Sequence, residues 1–284
     1  MAARAQSWHA RPVRFLGIVT LAAAALYAGL CLLAFAFQRR LLYFPDRCGE
    51  RAALGRAARL GVLPWRDGEG GLLGWRAPLG ARPRARLLVL HGNAGSALDR
   101  APYAAALAPL GVEVWLLEYP GYGPRPGAPS LAALSEAAAQ AARQLAARGP
   151  EPLLVLGESL GTGVAGRVVA LAPGVVRGLL LVSPYARMAE VARIHYPFLP
   201  GFILRDRFAP ADDLGAFRGP AAVLLAGRDE VVTVGQGQRL FEALRGPKRL
   251  WVQEQASHND LDLEPGRPVW TELLGFLLDL GAGR

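Results

Sequence analysis

Ser159 lies in the pentapeptide Gly157-Glu158-Ser159-Leu160-Gly161, after an apolar run at 153–156 and before a helical stretch opening near Thr162. A serine with glycine two residues away on either side, between a strand and a helix, has the pattern of a nucleophile held on a sharp turn. Such a turn crowds the flanking positions, where only glycine avoids a clash. It also sets the hydroxyl at a helix amino end, whose partial positive charge and free amides favour an oxyanion. A serine hydroxyl is inert at neutral pH without a base, so a histidine and an orienting carboxylate are required elsewhere in the chain. Asp229, after the apolar run 222–226, and His258, after the run 250–252, meet that need in the order serine, acid, histidine. Glu230 and Asp260 compete for the acid role, but Asp229 lies nearest a strand end. His195 competes for the base role from a Pro- and aromatic-rich segment better suited to contacting substrate.

Stabilising the oxyanion requires amide donors at the same edge. His91-Gly92-Asn93-Ala94-Gly95 follows the apolar run 87–90, so its amides are expected beside the Ser159 turn. The backbone amides of Asn93 and Leu160 are the expected oxyanion hole, each worth about 3–4 kcal/mol to a developing alkoxide. His91 precedes that turn and is expected to be a buried structural histidine.

The elements that position these residues follow from the pattern of apolar runs. Residues 72–77, 87–90, 112–117, 153–156, 179–182, 222–226 and 250–252 read as strands. Residues 131–147, 162–171, 236–244 and 269–280 read as helices between them. This alternation predicts an α/β domain over 71–284, a mostly parallel sheet with helices on both faces. Residues 184–220 separate two of the strands and form an insert or short lid. Its apolar part supplies Tyr196, Phe198 and Phe202 as expected substrate-binding residues of an acyl pocket, with a patch that dips into the membrane interface and an ordinary crossover helix packed on the sheet as the competing readings.

Composition narrows the class further. With 52% hydrophobic residues in 284, the chain is neither disordered nor fibrous. Two cysteines and four histidines support neither a disulfide framework nor a zinc cluster. The net charge of +9 comes from the first 86 residues, with 14 arginines against 4 acids, and no aromatic-interleaved basic stretch accompanies it. Nucleic acid is therefore not an expected partner. Residues 15–37 carry no charge over 23 positions, about 35 Å as a helix against a hydrocarbon core of about 30 Å. Arg11 and Arg14 precede this segment and Arg39 and Arg40 follow it. It is expected to be an uncleaved transmembrane anchor after a basic segment at 1–14, with membrane lipid as its partner. A cleaved signal sequence is the competing reading, since Ala34-Phe35-Ala36 imitates a cleavage site, but the apolar stretch is too long for a signal core. Residues 38–70 read as a basic juxtamembrane connector, whose 47–59 part either lies on anionic headgroups or forms a solvated surface helix.

Taken together, Leu42-Tyr43-Phe44-Pro45, the glycine turn after His91, Tyr119-Pro120-Gly121-Tyr122-Gly123, the Ser159 pentapeptide and His258-Asn259-Asp260 resemble the α/β-hydrolase fold serine hydrolases over about residues 40–280. Within them the chain looks like the membrane-anchored Bem-like branch, which includes protein depalmitoylases and many bacterial hydrolases. The resemblance implies a Ser159–His258–Asp229 triad, no metal or organic cofactor, and cleavage of an ester, thioester or amide through an acyl-enzyme. The expected location is a bacterial inner membrane, held by the single N-terminal pass, with the catalytic domain on either side: the arginines at the carboxyl end favour the cytoplasmic side, and the short basic amino terminus favours export. Two positions depart from the branch: Thr233 stands where proline is usual, and Ser257 where glycine is. The expected substrate is a small or lipid-like acyl ester or thioester. Peptidase action on the same triad, or a non-catalytic membrane scaffold, are the competing functions.

Overall fold

The computed structural model describes residues 10–281. Ten strands occur among them: β1 (Phe44–Pro45), β2 (Leu63–Arg66), β3 (Leu72–Ala77), β4 (Ala85–Leu90), β5 (Ala94–Gly95), β6 (Val112–Leu117), β7 (Leu153–Glu158), β8 (Gly178–Val182), β9 (Ala221–Ala226) and β10 (Lys248–Gln253). The helices are α1 (Ala10–Leu42), α2 (Glu50–Arg59), α3 (Ala101–Leu107), α4 (Leu131–Ala146), α5 (Leu160–Leu171), α6 (Met188–His195), α7 (Pro210–Asp213), α8 (Val234–Ala243) and α9 (Pro268–Gly281). Eight strands form one sheet in the order β10-β9-β8-β7-β4-β6-β3-β2. It is parallel from β10 to β6, and β3 and β2 pair antiparallel at the far side.

Successive residues of the central strands feed two cores. Leu88 and Leu90, Val155, Leu179 and Leu181, and Val223 and Leu225 pack on one face. Leu87 and Val89, Leu154 and Leu156, Leu180 and Val182, and Ala222 and Leu224 pack on the other. Burial on both faces is why these strands read as continuous apolar runs rather than as alternating ones. In α9, Trp270, Leu273, Leu274 and Leu277 recur at helical spacing and are all buried against the second face. Each contributes about 1.5–3 kcal/mol of apolar burial.

The domain begins earlier in the chain than the apolar runs suggest. Residues 47–66, expected within a connector, hold α2 and β2. Ala53 and Ala57 of α2 are buried in the second core, Arg56 pairs with Asp99 at 2.5 Å, and Trp65 is buried. The segment around α2 therefore packs one face on the domain. The pattern hides β2 because Pro64 interrupts it and only Trp65 among its four residues is buried.

Helix α1 continues past the expected anchor to Leu42, and Phe15–Leu42 is long and apolar enough to cross a bilayer. Most of its described surface is exposed, but Cys31, Ala34, Gln38, Arg39 and Leu42 are half-covered. Their spacing of three and four residues marks one face turned to the domain. Arg11 and Arg14 fall on helical residues whose side chains are outside the description, and residues 1–9 of the expected N-terminal segment lie outside it altogether.

Candidate active site

Ser159, Asp229 and His258 follow β7, β9 and β10, three parallel strands, so all three emerge at one edge of the sheet. The structure brings them together. His258 Nε2 lies 3.0 Å from Ser159 Oγ, and His258 Nδ1 lies 2.7 Å from Asp229 Oδ2.

Ser159 has φ 50 and ψ −116, a backbone state that L residues rarely adopt and that the surrounding packing must hold. Its amide donates to Val182 O, and its carbonyl accepts from Thr162 N, both at 2.9 Å. The flanking glycines have separate steric causes. A Cβ on Gly157 would lie 2.7 Å from Gly161 O, and one on Gly161 would lie 1.9 Å from Leu90 O. Helix α5 starts at Leu160, immediately after the serine and two residues before the expected start, so its free first-turn amides begin at the nucleophile. Glu158, next to it, is turned away: Arg100 Nε and Tyr103 Oη each donate to its carboxylate at 2.7 Å.

Asp229 orients the imidazole from a fixed position. Its second oxygen accepts from the amides of Val231 at 2.9 Å and Val232 at 2.8 Å. Burial works to raise the carboxyl pKa, but the bond to His258 and those amides outweigh it and hold the group below its ordinary value. The competing acids are occupied elsewhere: Glu230 accepts from the His258 amide at 3.5 Å, and Asp260 from the Ser257 amide. The competing base, His195, lies on the rim with Nε2 2.7 Å from Val231 O. Thr233 sits at φ 57, which a proline cannot adopt.

Beside Ser159, the turn at Gly92-Asn93 is fixed from three sides. Asn93 O accepts from the Phe44 amide at 2.9 Å and from Tyr122 Oη at 2.7 Å, and Asn93 Nδ2 donates to Leu42 O at 3.1 Å. Strand β1 pairs in parallel with β5, and Arg47 bridges to Gly123. The motifs around Tyr43, Asn93 and Tyr122 are therefore one knot, which ties the end of α1 to the expected oxyanion loop. Beneath it His91 is fully buried, with its ring 4.1 Å from that of Tyr119. Burial, helped by the Arg100 guanidinium, pushes the imidazole down to about 3 and leaves it neutral. Glu118 is also fully buried, and burial pushes its carboxyl up to about 7 despite bonds from the Ala97 amide and the Trp75 indole.

A cavity of about 360 Å³, at the small end of ligand-binding volumes, has Ser159, Leu160 and Asn93 in its lining. The rest is mostly apolar: Met188, Val191 and Leu199 from α6 and the segment after it, and Ala34, Leu41 and Leu42 from α1. Tyr196 lines it as expected, but Phe198 and Phe202 do not. Both face outward, 55% and 79% exposed, because the turn at Gly201–Ile203 presents Ile203 to the cavity instead. The α1 residues carry no motif, and only the small Ala34 one turn before Gln38 hints at a covered face. A larger recess of about 780 Å³ lies at the amino ends of β7, β8 and β9, the edge away from Ser159. Among the described residues, no group of three or more His, Cys, Asp or Glu side chains could hold a metal.

Comparison with known proteins agrees with this architecture. A family model described as alpha/beta hydrolase fold matches residues 85–210. An uncharacterised protein of Mycobacterium tuberculosis is 35% identical over 266 residues, covering 90% of this chain and 92% of that one. The lysophosphatidylserine lipase ABHD12 of Danio rerio is 31% identical over 208 residues, and the match covers 66% of this chain but 54% of that longer enzyme. Among solved structures, an esterase of Pyrococcus furiosus superposes with a TM-score of 0.62 at 17% identity, over 84% of this chain and 97% of that one. A monoacylglycerol lipase of Paleococcus ferrophilus gives 0.54 at 18% identity, over 74% and 98%. At those identities the superpositions speak for the fold.

Proposed function

The chain belongs to the α/β-hydrolase fold family, and from that premise we propose that it is a membrane-anchored serine hydrolase that cleaves lipid-like acyl esters or thioesters. The observation that carries this reading is the unbroken contact from Asp229 through His258 to Ser159 at the end of an apolar cavity. Relatives with lipase activity, such as the Danio rerio lysophosphatidylserine lipase, point to the same substrate class.

Ser159 Oγ attacks the acyl carbonyl carbon while His258 Nε2 takes the hydroxyl proton, and Asp229 fixes the ring so that Nδ1 keeps its own. The Asn93 and Leu160 amides receive the oxyanion. As the tetrahedral centre collapses, the bond to the leaving oxygen or sulfur breaks, and His258 returns the proton to it. Water then attacks the acyl-serine with the same base. The carboxylic acid leaves and the proton returns to Ser159. The acyl chain occupies the space lined by Tyr196, Met188, Val191 and α1, and α1 holds the protein in the bilayer, in the inner membrane of a bacterium.

A series of p-nitrophenyl esters from acetyl to dodecanoyl tests the reading. We expect kcat/KM to climb with chain length and all turnover to vanish in Ser159→Ala. A flat series would remove the apolar acyl site, and an active Ser159→Ala would remove the nucleophile.

A further inference from the structure

Helix α1 does not leave the domain as a free tether. Tyr27 Oη donates to Phe198 O at 2.9 Å, Gln38 Nε2 donates to Ile203 O at 3.0 Å, and Gln38 Oε1 accepts from the Arg205 amide at 2.7 Å. Arg39 closes a fork on Asp206 at 2.9 and 3.2 Å. Tyr27 and Arg39 are twelve residues apart, about 18 Å along the axis, so the stretch 198–206 runs beside the last turns of the apolar helix. Phe198 lies at the far end of that stretch from the arginines. Arg205 stacks over Phe35 and Arg40 over Phe37, which gathers the cations at one level. Beyond them Ile194, Tyr196, Phe198 and Phe202 are among the exposed large apolar side chains.

In water that surface is unfavourable; beside a membrane helix it meets hydrocarbon. Most of the backbone fits the second setting, and among the described residues only the amides of Phe198, Gly201 and Phe202 in the non-proline stretch 196–204 lack a protein partner. Irregular chain enters a bilayer only where its polar groups are satisfied by protein. Pro197 and Pro200 have no amide hydrogen to lose. The amides of Tyr196, Leu199, Ile203 and Leu204 donate to Ala192, Tyr196, Pro200 and Gly201 carbonyls. The carbonyls of Phe198 and Ile203 accept from α1, and those of Gly201 and Leu204 from Arg207.

We propose that residues 194–204 are a re-entrant element seated in the same leaflet as the C-terminal half of α1, and that the cavity shared by Ala34, Gln38 and Leu41 on one side and Tyr196, Leu199 and Ile203 on the other opens into that leaflet. The occupant of this surface is the acyl region of the bilayer. An acyl ester reaches Ser159 from the hydrocarbon, with its carbonyl rising toward the arginine level. This rests on the anchored-hydrolase reading above.

The test uses the full chain in phosphatidylcholine vesicles, with Phe198→Trp and Phe202→Trp compared with wild type. The fluorescence added by Trp at 198 should fall at least twofold when the lipid chains are brominated and stay unchanged with aqueous iodide. At 202, nearer the arginines, bromolipid should act more weakly. Quenching of the 198 signal by iodide and not by bromolipid overturns the proposal, as does release of the protein from vesicles by alkaline carbonate. A double Phe198→Ser/Phe202→Ser variant supplies the second readout. Turnover of a vesicle-embedded monoacylglycerol should fall about tenfold, while p-nitrophenyl acetate in water stays within twofold. Equal loss on both substrates overturns the membrane seat. Quenching depth does not depend on which residue is the nucleophile, so a failure of the hydrolase reading shows separately, as absence of acetate turnover in the wild type.

Discussion

The rim that carries Ser159, Asp229 and His258 hangs from the ends of β7 and β9, which are buried on both faces, and of β10, a half-covered edge strand, each bonded to a parallel neighbour. The facing wall is made of α1 and residues 188–204, joined by contacts between residues more than 160 positions apart in sequence. The first region has its geometry set by backbone hydrogen bonds and sterically required glycines, so its side chains meet within about 3 Å. The second is set by a few side-chain bonds and apolar contact. On the proposed function, chemistry belongs to the first region and chain-length preference to the second, and substitutions in the two should separate cleanly.

The largest effect belongs to the rim. Ser159→Ala should lower kcat by at least about 10⁴-fold with an unchanged thermal midpoint, checked by ester turnover beside a melting curve. Asp229→Asn leaves the nucleophile but lets the imidazole take the wrong tautomer, and a loss of about 10³- to 10⁴-fold is expected in the same assay. Behind the rim, Glu118 offers a pH-dependent comparison. Its folded pKa of about 7 exceeds the ordinary 4.5, so between those values the folded state keeps a proton that the unfolded state releases. Glu118 therefore contributes stability that is lost as pH rises through that window, up to about 3 kcal/mol, while the depressed imidazole of His91 contributes in the opposite sense. Denaturation at pH 5 and pH 8 should show Glu118→Gln gaining on wild type by that order as pH rises; the buried, neutral His91 is common to both proteins. In the apolar wall, Ala34→Phe should shorten the cavity. It should cut kcat/KM for a dodecanoyl ester by about 10- to 100-fold and leave acetyl ester turnover within about threefold. If both esters suffer alike, the two regions are not separable.

The same division decides what the sequence discloses. Ser159, Asp229 and His258 can be read because each stands directly after an apolar strand, and the parallel arrangement brings the strand ends to one edge whatever the intervening length. Strand β2 cannot be read, since an edge strand of four residues with Pro64 has no period to detect. Helix α3 is a seven-residue alanine-rich piece with Pro102 in its first turn, too short to stand out. The knot of Tyr43, Asn93 and Tyr122 is visible as motifs but not as one unit, because its bonds run through backbone carbonyls. Phe198 and Phe202, in the apolar part of the insert, read as cavity residues by composition alone. A helical wall from residues 34–42, far away in sequence, fills that place, and the phenylalanines turn outward beside α1.

The most direct measurement is to treat the full-length protein with a long-chain alkyl fluorophosphonate and map the adduct by mass spectrometry. A single adduct on the peptide holding Ser159, slowed strongly by Asp229→Asn and absent in Ser159→Ala, is the predicted result. An unlabelled protein, or an adduct on another residue that persists in Ser159→Ala, contradicts the account.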